Sequence, residues 1–390
     1  MVRKSLDRIQ APVFAGAAFS NSVADITPIA IPLWLAALGM EPLLIGLVVG
    51  ARYVGPLIFS IQGGALMDRL GARRVMIVFS VLATVVPMIY PYAGWLPFVL
   101  FLQFVGGLSE SLCWTGSQTI SNQVSNGDPQ FAGRMIACTR MGTLIAPPFA
   151  GFIMEYIGSY GGFVAMSIWG VGTLVSVILI PSSALVSRTS QESSLVDELI
   201  PKISDYLSTV KLLAVPIIGT MMAVTSIRQV GSSMQSSFYA LHLENSGISE
   251  TMIGFLIATN GLSGIAAIWT GLFARYLKMD TLLFWTVGFS VISIGLVPFS
   301  DNLVFLFCLS AIRGFSLAVS VALLLAILAR EVSGGVQGRI IGLRMTCHQV
   351  LNVFIPVLLG SLVQLGGIKI GFYFVATLSV LILVCLRRRY

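Results

Sequence analysis

Asp25, Arg52, Glu110, Arg140, Arg228, Arg313 and Arg344 stand inside otherwise apolar stretches of the chain. Left unpaired against lipid, each would cost roughly 2.5–3.5 kcal/mol on an insertion scale. They must therefore face one another, water or a ligand. The residue types divide the work. A guanidinium keeps its charge when buried and presents a planar fork that grips a carboxylate or a phosphate. A buried carboxyl can be poised to take up and release a proton. Asp25 and Glu110 are accordingly candidate proton carriers, with His348 as a third that also fits a core hydrogen-bonding role. Arg52, Arg140, Arg228, Arg313 and Arg344, together with Gln235, form the candidate substrate-binding set. Arginines outnumber carboxylates within these stretches, and the positive surplus points to an anionic solute or an anionic group on one.

Helical spacing groups these residues with further polar ones. Thr225, Arg228, Ser232, Gln235 and Tyr239 recur at i+3 and i+4, which puts them on one face of a helix. Gln103, Glu110 and Ser117 repeat every seven residues, Arg344, His348 and Asn352 every four, and Asn21 and Asp25 stand four apart before Pro28 and Pro32. Each stripe alone also fits hydrogen bonding between helices without a ligand. Four of them converging on a single cavity favour a solute pathway.

The elements that must position these side chains are membrane helices. The chain has 390 residues, 56% hydrophobic and 10% charged, with a mean hydropathy of +0.92. No water-soluble domain of this length has such a composition. A bilayer core of about 30 Å needs roughly 20 apolar residues per helix. Twelve spans are predicted, at 12–38, 43–66, 75–94, 97–122, 133–156, 160–181, 212–238, 250–274, 281–299, 302–328, 338–364 and 369–386. The runs are long and do not alternate, so helices are expected rather than a β-barrel. The charged residues fall in spans 1, 2, 4, 5, 7, 10 and 11. Arg3, Lys4 and Arg8 precede too short an apolar stretch for a cleaved signal peptide, so the first helix is expected to remain. Five cysteines lie inside spans with no C-x-x-C pair, and neither disulfides nor a metal site nor a cofactor is expected.

The net charge of +7 does not indicate nucleic acid. Most of the 23 Lys and Arg lie at the N-terminus, in loops after even-numbered spans, or in the C-terminal Arg387-Arg388-Arg389. By the positive-inside rule both termini are cytoplasmic. The polar stretch 182–211 reads as a cytoplasmic linker between a six-helix half at 1–181 and another at 212–390. The halves echo one another. Gly133-Arg134 opens span five, followed by Arg140, Pro147 and Gly151; Gly338-Arg339 opens span eleven, followed by Arg344, Pro356 and Gly360. The segment from Gly271 to Lys278 is a degraded echo of another loop, Gly63-Gly64-Ala-Leu-Met-Asp68-Arg69-Leu-Gly71-Ala-Arg73-Arg74.

That last segment resembles the G-x-x-x-D-R-x-G-R-R loop signature of the major facilitator superfamily of secondary transporters. The resemblance implies an all-α polytopic membrane fold of twelve helices in two parallel six-helix repeats. It makes Gly64, Asp68, Arg69, Gly71, Arg73 and Arg74 a gating motif on the loop between the second and third spans. The paired glycines are expected to let the helix end pack closely against a neighbour. In that family helices 3, 6, 9 and 12 face lipid, in keeping with the distribution of the buried charges. The implied function is secondary active transport by alternating access, with the solute bound near the midplane; the arginine surplus and the buried carboxylates add the expectation of a small anionic organic solute coupled to a proton or, alternatively, to sodium. The expected setting is a monomer in the cell membrane.

A second resemblance competes. Drug exporters of the superfamily carry G-x8-G-P-x3-G-P-x2-G-G on helix five. Here Gly133, Gly142, Pro148 and Gly151 match, while Thr143, Pro147 and Phe152 depart, and Gln103 replaces their usual helix-four arginine. Two remote readings remain: a non-transporting membrane receptor, and an intramembrane enzyme using Gly261-Leu262-Ser263-Gly264 with His348. No Walker sequence supports ATP-driven transport.

Overall fold

The computed structural model describes residues 2–125, 128–181, 215–265, 270–271, 276–331 and 337–389. The linker at 182–211 and most of the degraded echo after Gly271 lie outside the described residues. Within them every regular element is helical: α1 (Val2–Ala37), α2 (Pro42–Ala51), α3 (Val54–Leu70), α4 (Ala72–Ile89), α5 (Leu96–Ser125), α6 (Pro129–Ile157), α7 (Gly161–Leu179), α8 (Pro216–Met234), α9 (Ala240–Asn245), α10 (Glu250–Ser263), α11 (Met279–Gly295), α12 (Leu303–Glu331), α13 (Gln337–Gly366) and α14 (Ile368–Arg389). A π-helical turn, Gln235–Tyr239, joins α8 to α9. Nine helical segments among the described residues are long and apolar enough to cross a membrane. The remaining predicted spans correspond to α1, to α8 with its π turn, and to α10.

The second span departs from a continuous helix. It is broken between Ala51 and Val54 into α2 and α3. Pro56 has no N–H to give the carbonyl of Arg52, four residues back, so the ladder lapses there. The freed carbonyl points at α5, where Gly107 lacks the Cβ that would overlap it.

The chain folds as two compact units. In the first, α1 packs on α6 and α7, and α4 on α5 and α7. Helices in lipid gain little from apolar burial against one another, so close approach by small residues and hydrogen bonds holds them. Gly142 of α6 sits against the Ala18 carbonyl of α1, Gly162 of α7 against Ala30, and Gly170 against Ala83 and Thr84. Ser167 donates to the Thr84 carbonyl at 2.8 Å, and the Trp169 indole N–H to Ser22 Oγ at 2.7 Å. In the second unit α11 packs on α12 and α14, and α8 on α13, around Met221, Val291, Val319, Leu323 and Leu343.

The units are not contiguous in sequence. Ser249–Gly254 belongs to the first and Leu38–Gly50 to the second. In the first, Gly254 lies on the Pro147–Pro148 backbone and Gly151 on that of Glu250 and Thr251. In the second, Gly46 lies on the Pro356 carbonyl and Gly360 on Pro42 and Leu43. The equal Pro-to-Gly spacing in spans five and eleven therefore marks equivalent crossings. Each is reinforced by a polar contact: Thr251 Oγ1 donates to Glu155 at 2.8 Å, and Gln364 Nε2 to Glu41 at 2.9 Å.

The loop motif joins α3 to α4. Gly71 takes φ +86°, a conformation costly for any residue with a Cβ. Gly63 meets the Leu112 side chain, but nothing lies within 4 Å of where a Cβ on Gly64 would stand. The expectation of close packing thus holds for the first glycine and fails for Gly64, which points into open space.

Candidate functional site

In the first unit the helix break places Arg52 against α5. Its guanidinium pairs with the Glu110 carboxylate and donates from Nη1 to Gln103 Oε1 at 3.4 Å. Arg52 is only 5% exposed. The spacing of seven between Gln103 and Glu110 now has a cause, since both reach the same guanidinium from one face of α5. Gly106, one residue before the close-packed Gly107, leaves space beside Arg52 and the Tyr90 hydroxyl. Tyr90 stacks on Phe163 with centroids 4.9 Å apart, and Trp34 meets both rings edge-on. The Tyr90 hydroxyl, Trp34 Nε1 and Gln103 Nε2 are buried with no hydrogen-bond partner among the described residues. Two residues assigned separately by sequence, one to anion binding and one to proton transfer, thus meet in a single ion pair.

Asp25 stands apart from that pair. Thr143 of α6 lies within hydrogen-bonding reach of its carboxyl, and Arg140 and Glu110 are near enough for their charges to act on it. Asn21, one turn earlier, donates to Thr143 Oγ1 at 3.4 Å. No ion pair links Asp25 to Arg140 among the described residues. Two turns before Asp25 on α1, an open cleft of about 500 Å³ runs between α1 and α6, with Phe14, Phe19, Cys138, Met141 and Trp169 among its walls. It carries no charged side chain. Asp25 therefore lies near one end of an apolar, aromatic-walled cleft.

The second unit has a different character. Arg313 on α12 is 3% exposed. Its Nε donates to Gln235 Oε1 at 2.7 Å and its Nη1 to the Ser290 carbonyl at 3.0 Å, while Nη2 is buried without a partner among the described residues. Gln235 also accepts from Asn260 Nδ2 of α10 at 2.9 Å. It opens the π turn, whose extra residue widens the helix just where it meets Arg313; such turns recur at functional sites. Gly314 permits this meeting of α12 and α10, because a Cβ there would overlap the Asn260 carbonyl. Tyr239, closing the π turn, shares a hydrogen bond of 3.2 Å with Ser310.

Arg228 and Arg344 are each half-buried, on α8 and α13. Arg344 is near enough for its charge to act on Arg228, and Arg228 in turn on Arg313. His348 feels both Arg228 and Arg344. Asn352 accepts from Gln229 and lies 3.2 Å from His348 Nδ1. The Arg228 guanidinium makes no hydrogen bond among the described residues, and no carboxylate pairs with Arg228, Arg313 or Arg344 there.

Some partners escaped sequence reasoning. Gln229 belongs to a second polar row that runs along α8 into the π turn, namely Thr225, Gln229, Ser233 and Ser237 at strict i+4 spacing, all buried; that periodicity was the available signal. Neither Asn260 nor Tyr90 belongs to any of the stripes read from sequence. Within the stripe read from sequence, Ser232 and Thr225 bond their own backbone, whereas Gln235 and Tyr239 reach other helices. In the loop motif, Arg73 donates to the Ile178 carbonyl at 3.0 Å. Asp68 is exposed and makes no ion pair among the described residues.

Comparison with known proteins gives a consistent picture. A model of the Major Facilitator Superfamily matches residues 13–227 and 221–390. The quinolone resistance protein NorA of Staphylococcus aureus (strain MSSA476) is 23% identical over 277 residues, covering 70% of this chain and 69% of that protein. The vesicular glutamate transporter 3 of Danio rerio is 24% identical over 239 residues, covering 58% of this chain and 40% of that protein. Among solved structures, the nucleoside transporter NupG superposes with a TM-score of 0.74 at 14% identity, over 98% of this chain and 98% of that one. The inward-open xylose transporter XylE from E. coli does so with a TM-score of 0.72 at 12% identity, over 98% and 96%.

Proposed function

Because the chain belongs to the Major Facilitator Superfamily, we propose that it moves a small anionic organic solute by alternating access, with a proton as coupling ion. It is a multi-pass membrane transporter by family and by fold; the charge of the solute and the coupling are the proposal. The observation that carries it is the charge balance of the second unit. The Arg344 charge acts on Arg228 and that of Arg228 on Arg313, with no carboxylate paired to any of the three among the described residues, and the predicted spans from 212 onward contain no interior Asp or Glu apart from Glu250 at the head of span eight. Arg52, by contrast, is already neutralised by Glu110. The weight of anion recognition therefore shifts to Arg228 and Arg344, with Arg313 and Gln235 behind them. The similarity to a vesicular glutamate transporter, whose name specifies an anionic amino acid, supports this reading. Glu110 and Asp25 are the proposed proton carriers; protonating Glu110 would release Arg52.

The test is solute binding and flux in proteoliposomes, with and without a pH gradient, across carboxylates, phosphates and lipophilic cations. Arg228→Gln and Arg344→Gln should each weaken anion binding about tenfold or more, the loss of a charged hydrogen bond. Lysine at either position should restore it only in part, lacking the planar fork. Anions that never bind, or bind equally well without these arginines, overturn the proposal. Orientation is proposed with both termini cytoplasmic: a cysteine placed at Ser246 in a cysteine-free variant should label from outside only.

A second reading has its own observation. The apolar cleft beside Asp25, with Phe14, Phe19 and Trp169 in its walls, suits a lipophilic solute, and the resemblance to a quinolone resistance protein points the same way. In that case lipophilic cations bind, Asp25→Asn abolishes their binding, and the arginine variants leave it intact.

A further inference from the structure

On the second unit, α11 and α14 run side by side but do not close against each other along their length. Near the end of α11, a Cβ on Gly295 would overlap Ala376, so the helices touch there. Two turns earlier, Gly288 meets nothing within 4 Å. Between them opens a groove of about 160 Å³ with Phe284 and Leu383 as its buried floor and Trp285, Phe289 and Val384 along its rim. Trp285 and Phe289 are about half exposed, at 51% and 49%, and they stack with centroids 5.8 Å apart. Both helices are apolar enough to span the bilayer, so this surface faces lipid.

The groove has one charged end. The Arg387 guanidinium lies 5.6 Å from the centre of the Trp285 ring, which holds it at the mouth. Trp285 stands six residues into α11, about 9 Å from its start at 1.5 Å per residue, and Arg387 two residues before the end of α14. The mouth is therefore at the groove's end nearer the membrane surface, within reach of a headgroup, while Ile292 lines the groove about 10 Å further in. Lys278 and Arg388 stand near the same ends, with the Asp280 carboxylate at the start of α11. None of these cations forms an ion pair among the described residues.

We infer that this groove holds one anionic phospholipid, an acyl chain lying along Gly288 between the two helices and its phosphate gripped by Arg387. The apolar walls exclude a soluble anion from the groove. A bare apolar seam would take any lipid; the guanidinium, fixed over the indole with its fork free, adds preference for a negative headgroup. Basic pockets between membrane helices at the cytoplasmic face bind anionic headgroups in this way, and arginine suits a phosphate through paired, planar donors. The inference is independent of which solute is carried.

Native mass spectrometry of the full-length protein, extracted from vesicles of phosphatidylcholine mixed with phosphatidylglycerol, tests it. The wild type should retain one phosphatidylglycerol per chain in preference to phosphatidylcholine. A Cβ on Gly288 meets nothing within 4 Å, and leucine there raises helix propensity while its side chain extends into the groove, so in Gly288→Leu the fold should survive while the bound lipid is lost whatever its headgroup. Should that variant fail to fold, Val384→Trp blocks the groove from the facing helix. Arg387→Gln should keep a lipid bound but reduce the preference for phosphatidylglycerol about tenfold. Equal retention of both lipids by the wild type, or undiminished phosphatidylglycerol in a filled-groove variant, overturns the inference. So does a dimer in sedimentation that dissociates on filling the groove, because the occupant would then be a second copy of the chain.

Discussion

Removing one member of the Arg52–Glu110 pair should reveal how the first unit tolerates charge. The side chain of Arg52 is nearly sealed from the surface, and its other acceptor is the amide oxygen of Gln103 at 3.4 Å. Two unit charges about 4 Å apart attract by roughly 4 kcal/mol at an effective dielectric near 20. Breaking a buried pair by deleting one partner typically costs about 3–5 kcal/mol, because the survivor stays buried and uncompensated. The two single variants should not be equal. Glu110→Gln strands a guanidinium that cannot shed its charge, and a loss of about 3 kcal/mol or more is expected. Arg52→Gln leaves a carboxyl, which unlike a guanidinium has a neutral form, so its cost should be smaller. The double variant, glutamine at both positions, restores neutrality and should be more stable than Glu110→Gln alone. Equilibrium unfolding in mixed micelles gives all three numbers. Additive single effects below about 1 kcal/mol would refute a sealed ion pair here.

Other consequences are equally direct. Gly107→Ala drives a methyl group into the Arg52 carbonyl and should cost about 1–3 kcal/mol in the same unfolding assay, whereas Gly64→Ala, facing open space, should be neutral or stabilising by about 0.5–1 kcal/mol. Asp68→Asn should slow transport in proteoliposomes with solute affinity nearly unchanged; a large loss of affinity at normal turnover would move Asp68 from gate to binding site. His242 lies beyond the end of the predicted span 212–238. It is buried against Phe372, with its Nε2 unpartnered among the described residues. Burial, and next the Lys369 charge, hold it below the ordinary histidine range, against the opposing pull of Asp301. A depressed value means that the unfolded chain binds the proton first. Stability should therefore be complete above about pH 6.5 and fall as the pH drops below it. Unfolding midpoints measured at neutral and mildly acidic pH should converge in His242→Gln.

The amino-acid sequence by itself determined that this chain is a bundle of membrane helices, where those helices run, and which of them carry charge. Apolar length, helical period and the sorting of Lys and Arg between loops are properties of one segment at a time, and they need no knowledge of its neighbours. The repeat of Pro147–Gly151 in Pro356–Gly360 was legible for the same reason, although its use in paired helix crossings was not. Pairing was decided only in three dimensions. Arg52 and Glu110 stand 58 positions apart, and nothing local distinguishes Glu110 from Asp25 as the partner of an arginine. The break at Arg52 that turns its guanidinium toward α5, the π turn that brings Gln235 to both Arg313 and Asn260, and the different surroundings of Gly63 and Gly64 all depend on which helices adjoin and at what depth. A polar side chain in a membrane helix must find a partner, but which partner it finds is set by the packing of backbones, and that is a property of the whole unit.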